Sequence, residues 1–260
     1  MNIEMKQGAL CLAVFCLAMT AACSKPETPQ VEGATLKQMP AGKEFSGFLS
    51  SYANLKPNPK FENTVSYVKG GDAKNIHQYL AVIIDPVQVY VSSKTDVSKM
   101  PDRGRTALVA YFHHAITNAV EDAFPVVTEP GPLVLRLRTA LVGVDVGGEI
   151  PGGGKDKDDP MLARGINIGK VGVEMEMVDS VTGEQLAAAV DRENLGDGVE
   201  MKSVDFSREQ KVDAIRDALD GWAHRLRNFL DSAHELSAED AAKADAHYHP
   251  YGQEDAAPKK

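Results

Sequence analysis

Apolar positions along the chain recur with two periods, one of two residues and one between three and four, and each marks a different kind of element. Residues 79–91, YLAVIIDPVQVYV, carry the clearest strand signal. Ala81–Ile84 is apolar at every position, as in a strand covered on both faces. Val87, Val89 and Val91 then alternate with Gln88 and Tyr90. Pro86 has no N–H for a ladder, so the strand is expected to break, bulge or lie at a sheet edge there. After the turn Glu129-Pro130-Gly131-Pro132, residues 133–146 alternate again, with Leu133, Leu135 and Leu137 on a core face and Arg136 and Arg138 on a charged one; Val126 and Val127 precede them as a possible partner strand. Residues 169–179 and 184–192 predict a hairpin joined by Ser180-Val181-Thr182-Gly183, a connection suited to a type I-based turn. Within it Val171, Val173, Met175 and Met177 face one way, and Glu174 and Glu176 the other.

The longer period predicts two helices. Pro101 and Asp102 suit a first turn, and Leu108, Tyr111, Phe112, Ile116, Val120 and Phe124 continue one stripe until Pro125. Ser207 with Gln210 forms a capping box, after which Val212, Ile215, Leu219, Trp222, Leu226, Phe229 and Leu230 line one face to about Ala233. Phe45, Phe48, Leu49 and Tyr52 predict a helical turn or two, ended by Pro57 and Pro59, lying as a hydrophobic latch across the domain. Two single-striped helices want one shared surface. The expected fold is therefore α+β: a single domain over residues 44–235, with a mostly antiparallel sheet of four or five strands and helices 101–124 and 208–233 packed on it.

The first apolar run obeys a different grammar. Lys6 precedes apolar residues 9–19, and Thr20-Ala21-Ala22-Cys23 follows. That is a signal peptide, too short for a permanent span, and it resembles a bacterial lipobox with Thr20 in place of the usual leucine. Residues 1–22 are thus read as a lipoprotein signal peptide and Cys23 as the acylated residue. Ser24, not an aspartate, follows the cysteine, which resembles the class sorted to the outer membrane. Residues 23–43 are read as a flexible tether, and residues 236–260 as a disordered tail. Cys11 and Cys16 leave with the leader, so the mature chain has no pair for a disulfide and relies on packing. A composition with 43% hydrophobic and 25% charged residues is that of a folded domain rather than a disordered or membrane-integral one. A net charge of -9 repels phosphate backbones, which excludes nucleic acid as the expected partner.

Few residues suggest chemistry. Asp85, before a proline at the end of a buried strand, and Arg136 and Arg138, alternating on one face, are the candidate binding residues; a structural aspartate and surface ion pairs are the plainer reading. The glutamate pair 174/176 would need a partner and a cleft for acid–base work. The glycine-rich stretch 147–160 lacks the Walker spacing, with Glu149 where glycine is needed and Asp156 after Lys155, and its aspartates lack the calcium-loop order. His247 and His249 lack an ordered third ligand. No metal and no cofactor is expected. There is no G-x-S-x-G elbow, no H-E-x-x-H helix and no mature catalytic cysteine.

FSGFLSSYANLKP (45–57), IIDPVQVYV (83–91), EPGPLVLRLRTALVGVD (129–145), VEMEMVDSVTGEQLAAAVDR (173–192) and GWAHRLRNFL (221–230) carry a resemblance to uncharacterised proteobacterial outer-membrane lipoproteins grouped as a domain of unknown function. The resemblance implies location and architecture and brings no activity. The expected role is a non-catalytic envelope lipoprotein anchored to the bilayer through acylated Cys23, its domain facing the periplasm, that acts as a binding or adaptor module for another envelope protein or for peptidoglycan. A small-ligand or metal-binding lipoprotein is the alternative, and a hydrolase comes last.

Overall fold

The computed structural model describes residues 36–93, 102–144, 146–147, 167–168, 171–192 and 208–234. The leader, Cys23, the first part of the tether, the stretch 148–166, the capping box at Ser207 and the tail histidines lie outside the described residues. Within the unit formed by residues 31–260, the chain runs β1 (Leu36–Gln38), β2 (Lys56–Pro57), β3 (Thr64–Val68), β4 (Ala81–Ile84), β5 (Gln88–Val91), α1 (Asp102–Glu121), β6 (Val134–Val144), β7 (Val146–Gly147), β8 (Asn167–Ile168), β9 (Gly172–Asp179), β10 (Gln185–Asp191) and α2 (Arg208–His234). Leu36–Gln38, inside the stretch read as tether, is thus a strand, and Met39 after it is buried.

Eight strands form one sheet, in the order β1-β5-β6-β9-β10-β3-β2, with β4 also on β6; β7 and β8 make a separate ribbon. β4 and β5 are one line of chain interrupted at Asp85-Pro86-Val87, and both pair with the same edge of β6. Those pairings and β1 on β5 are parallel, while β6–β9, β9–β10, β10–β3 and β3–β2 are antiparallel. The expected mostly antiparallel sheet of four or five strands is therefore corrected to a mixed sheet of eight. The reason lies in the chain order: β4–β5 enters, α1 crosses back, and β6 leaves in the original direction, which makes the pair parallel. The extra edge strands of two or three residues are too short to carry any period.

α1 lies within the stretch that its stripe marks out, α2 overruns its own by one residue, and both cover one face of the sheet. Leu108, Phe112 and Ile116 of α1 and Ile215, Leu219 and Trp222 of α2 meet Val89, Leu137, Leu141 and Val173 in the main core. The second face has its own cluster, in which Phe48 and Leu49 pack with Tyr90, Ala140, Val142 and Val190. The latch therefore lies where it was expected, but as turns and bends with no helix. Its N–H groups go to side chains instead of to carbonyls one turn back: Phe48 N donates to Ser46 Oγ (3.1 Å), Leu49 N to the Tyr52 hydroxyl (3.0 Å), and Ser46 N and Ser50 N to carboxylates of the sheet. A helix would forfeit those bonds.

The hairpin forms as read. Gly183, at φ 72°, closes the turn by donating its N–H to Asp179 O at 2.9 Å, while Asp179 Oδ1 accepts from Val181 N and Thr182 N.

Candidate functional site

The alternation of β9 and β10 sends Met175 and Met177 to the helix face opposite Ala189 and Ala187. Alanines there leave a shallow floor that the α2 stripe does not fill. The result is a cavity of about 200 Å³ between the sheet and α2, walled by Met175, Met177, Trp222, Leu226 and Phe229, with the buried Asp191 and the more exposed Phe61 and Arg225 also lining it. An apolar cavity of roughly 150 Å³ already holds benzene, so this one accepts an aromatic ring or a short alkyl group.

The polar groups beside it are tied to one another. Asp191 Oδ2 accepts from Trp222 Nε1 (3.0 Å) and pairs with Arg225 (2.8 Å), and the Arg225 guanidinium lies 5.3 Å from the Phe61 ring centre. Asn58 donates to Ser66 Oγ at 3.0 Å. Asp191 is thus oriented by two donors rather than poised as a base. Its signal in the sequence was present, as an acidic residue at the end of an apolar strand, but nothing in the spacing linked it to Trp222.

The predicted candidates sit on the opposite face. Asp85 Oδ1 lies 3.3 Å from Arg136 Nε, and Arg138 pairs with Glu176 and also reaches Ser50 Oγ at 3.2 Å. Burial raises the Asp85 carboxyl above its ordinary range, against the opposing pull of Arg136 and Arg138. Asp85 and the two arginines therefore do come together, each arginine beside a carboxylate of this chain.

Next to them, Glu174 and Glu176 are among the most enclosed polar groups described, 0% and 1% exposed. Each grips one serine of the latch, a strap of residues 45–55, twice. Ser46 gives its N–H (2.9 Å) and hydroxyl (2.7 Å) to the two oxygens of Glu174, and Ser50 does the same to Glu176, at 2.9 Å for both. The Tyr52 hydroxyl also donates to Glu174 at 2.5 Å, and the Gln185 side-chain amide to Glu176 at 2.7 Å. Serines four apart on the strap match glutamates two apart on the strand. The pair that alternation placed on one face is a structural clasp. His113 is half-buried, and that burial lowers its pKa, while His114 beside it is exposed. Among the described residues no three histidine, cysteine or carboxylate side chains gather as a metal site.

The fold and cavity together define an α+β domain with a mixed sheet, two helices on one face and a clasped strap on the other. The chain belongs to the family described as "Protein of unknown function (DUF3313)", whose model matches residues 44–226. Among solved structures, a leucine-to-methionine variant of the PelC dodecamer from Paraburkholderia phytofirmans is similar at 13% identity, covering 66% of this chain and 95% of that one, with a TM-score of 0.30. A second PelC dodecamer structure from that organism matches at 11% identity over 67% and 97%, with a TM-score of 0.26. Likeness at that level says nothing of this chain's assembly or activity. No curated protein matches the chain.

Proposed function

We propose that the mature chain is a non-catalytic lipoprotein of the bacterial outer membrane, anchored through acylated Cys23 with its domain in the periplasm, and that it binds another envelope protein by taking an apolar side chain into the cavity under α2. The observation that carries this reading is the cavity itself: its walls are apolar, and the polar groups beside it are already paired, so it offers contact rather than chemistry. Apolar walls suit a protein side chain better than the sugars of peptidoglycan. Among the described residues no helix is long and apolar enough to cross a membrane.

Ala189→Leu fills part of the cavity without touching the clasp. Crosslinking in intact cells should give a partner with the parent chain that is lost with this variant, while circular dichroism stays unchanged. An identical crosslinking pattern from both chains refutes the binding mode. Labelling with a clickable fatty acid tests the anchor, and Cys23→Ser should abolish the label. The same cavity also supports a second reading, a small apolar ligand. Native mass spectrometry of protein purified from cells would then give a bound mass that Ala189→Leu removes.

A further inference from the structure

Five large apolar side chains are exposed among the described residues, and four of them gather at one end of the sheet: Leu80 (62%), Val126 (42%), Leu133 (45%) and Val181 (64%). Hydrogen bonds place them side by side. Leu80 N donates to Leu133 O at 2.8 Å; Val126 bridges Val82, two residues along β4; and Ser180, just before Val181, donates its N–H to Val134 O and bonds Gly131 through its hydroxyl. Leu133 is held at φ 61°, the left-handed region that a leucine adopts only with strain. Asparagine or glycine would sit there more easily, so the backbone bears strain to present a branched alkyl group to solvent.

We propose that this rim is the membrane-facing end of the anchored domain and that its four side chains insert shallowly into a zwitterionic bilayer surface. The proposal rests on the reading of Cys23 as acylated. Two observations choose the lipid as occupant. First, β1 runs parallel to β5 with Leu36 opposite Val89 and Gln38 opposite Val91, so the chain before Leu36 enters from the rim's end of the sheet. From Cys23 to Leu36 is 36 − 23 = 13 residues, a reach of roughly 45 Å when extended, whereas the strand from Val89 back to Leu80 measures about 30 Å. The anchor can therefore bring the rim to the bilayer without unravelling β1. Second, the lysines on this side are matched: Lys69 pairs with Glu184 at the end of the hairpin turn (2.6 Å), and Lys74 with Asp72 (3.9 Å). An anionic surface is held by unmatched lysines and arginines; here apolar contact must supply the attraction, which suits phosphatidylethanolamine and phosphatidylcholine.

The full chain purified from membranes is reconstituted into phosphatidylethanolamine–phosphatidylcholine vesicles and compared by hydrogen–deuterium exchange with the soluble Cys23→Ser chain. Amides at 78–80, 126–133 and 180–184 should slow severalfold on the vesicle, with residues 92–93 at the far end unchanged. Leu80→Asp/Leu133→Asn, in which asparagine suits the left-handed backbone, keeps the anchor and should lose the slowing. Equal exchange at the rim with and without vesicles overturns the proposal. If no acyl group is found, the anchor fails separately, and cosedimentation of the Cys23→Ser chain with the same vesicles decides the surface. Binding should then fall at least tenfold in Leu80→Asp/Leu133→Asn and gain nothing from added phosphatidylglycerol. Binding unaffected by the double substitution, or dependent on phosphatidylglycerol, overturns the rim as a zwitterionic contact.

Discussion

Removing the Tyr52 hydroxyl tests whether the strap is held by its clasp or merely by its aromatic rings. Tyr52 donates to Glu174 at 2.5 Å and accepts from Leu49 N at 3.0 Å, while its ring stacks on Phe45 with centroids 4.6 Å apart. Tyr52→Phe keeps the ring and deletes both bonds. A hydrogen bond to a charged group contributes about 1.5–3 kcal/mol and an ordinary one about 1 kcal/mol. Ser46 still satisfies Glu174, so no carboxylate is stranded, and urea unfolding at neutral pH should report a loss of about 2.5–4 kcal/mol with an unchanged m-value. The pH dependence gives a second readout. Burial, and then the bond to Glu174, push Tyr52 up to about 12 from the ordinary 10.0. The folded state thus holds the proton that the unfolded state releases near pH 10, so the contribution is complete below pH 10 and is lost as pH rises through 12. A full two-unit shift is worth about 2.7 kcal/mol; the ring keeps solvent contact, so about 1 kcal/mol is expected after screening. Tyr79, pushed to about 12 by burial and its bond to Asp179, loses stability in the same window, so the comparison belongs in a Tyr79→Phe background. A Tyr52→Phe chain within about 0.5 kcal/mol of its parent, with the same alkaline limb, would refute the clasp.

Three further substitutions probe the rest of the packing. A Cβ on Gly172 would lie 2.9 Å from Asp191 O and 3.2 Å from Val142 Cγ2, so Gly172→Ala must part β9 from β10 and should lower stability by about 1–3 kcal/mol in thermal unfolding. Arg227, 2% exposed, bonds Asp231 at 2.6 Å and Ala119 O at 2.9 Å and pairs with Asp122 across the helices. Arg227→Met leaves Asp231 buried without its cation, for a loss of about 3–5 kcal/mol that Arg227→Met/Asp231→Leu should largely restore. Leu133→Asn relieves the left-handed leucine at φ 61° and should raise the urea midpoint, by up to about 1 kcal/mol in stability.

The elements with enough length to show a period were legible, and their partners were not. Strict alternation through 173–177 revealed the hairpin, and the stripe through Leu219, Trp222 and Leu226 revealed α2. Lys56–Pro57 and Leu36–Gln38 are strands only because β3 and β5 stand beside them, and no window of two or three residues announces that. Thr64–Val68 was missed although TVSYV is rich in β-branched residues, because Ser66 and Tyr67 blur its alternation. At the site, pattern put Glu174 and Glu176 on one face but could not reveal what covers that face. Their donors, Ser46 and Ser50, lie more than a hundred residues away, in a stretch whose apolar spacing predicts helical turns and says nothing of its serines. The cavity was hidden for a related reason: Ala187-Ala188-Ala189 looks like unremarkable strand filler until a helix passes above it.

The division of labour between the faces bears on function. Arg138, Glu174 and Glu176 are all bound to the strap or to each other, and Asp85 faces Arg136, so the sheet's most polar surface is committed to holding residues 45–55 in place. The strap lies across the two glutamates, which are 0% and 1% exposed and so have no open approach from solvent. On the proposed binding role, contact falls to the apolar features, the cavity under α2 and the rim around Leu133, which lie on other parts of the domain. Ser46→Ala/Ser50→Ala therefore makes a pointed test: loosening the strap should lower stability while leaving partner crosslinking at the cavity intact, whereas an enzyme working at the glutamates would change its activity first.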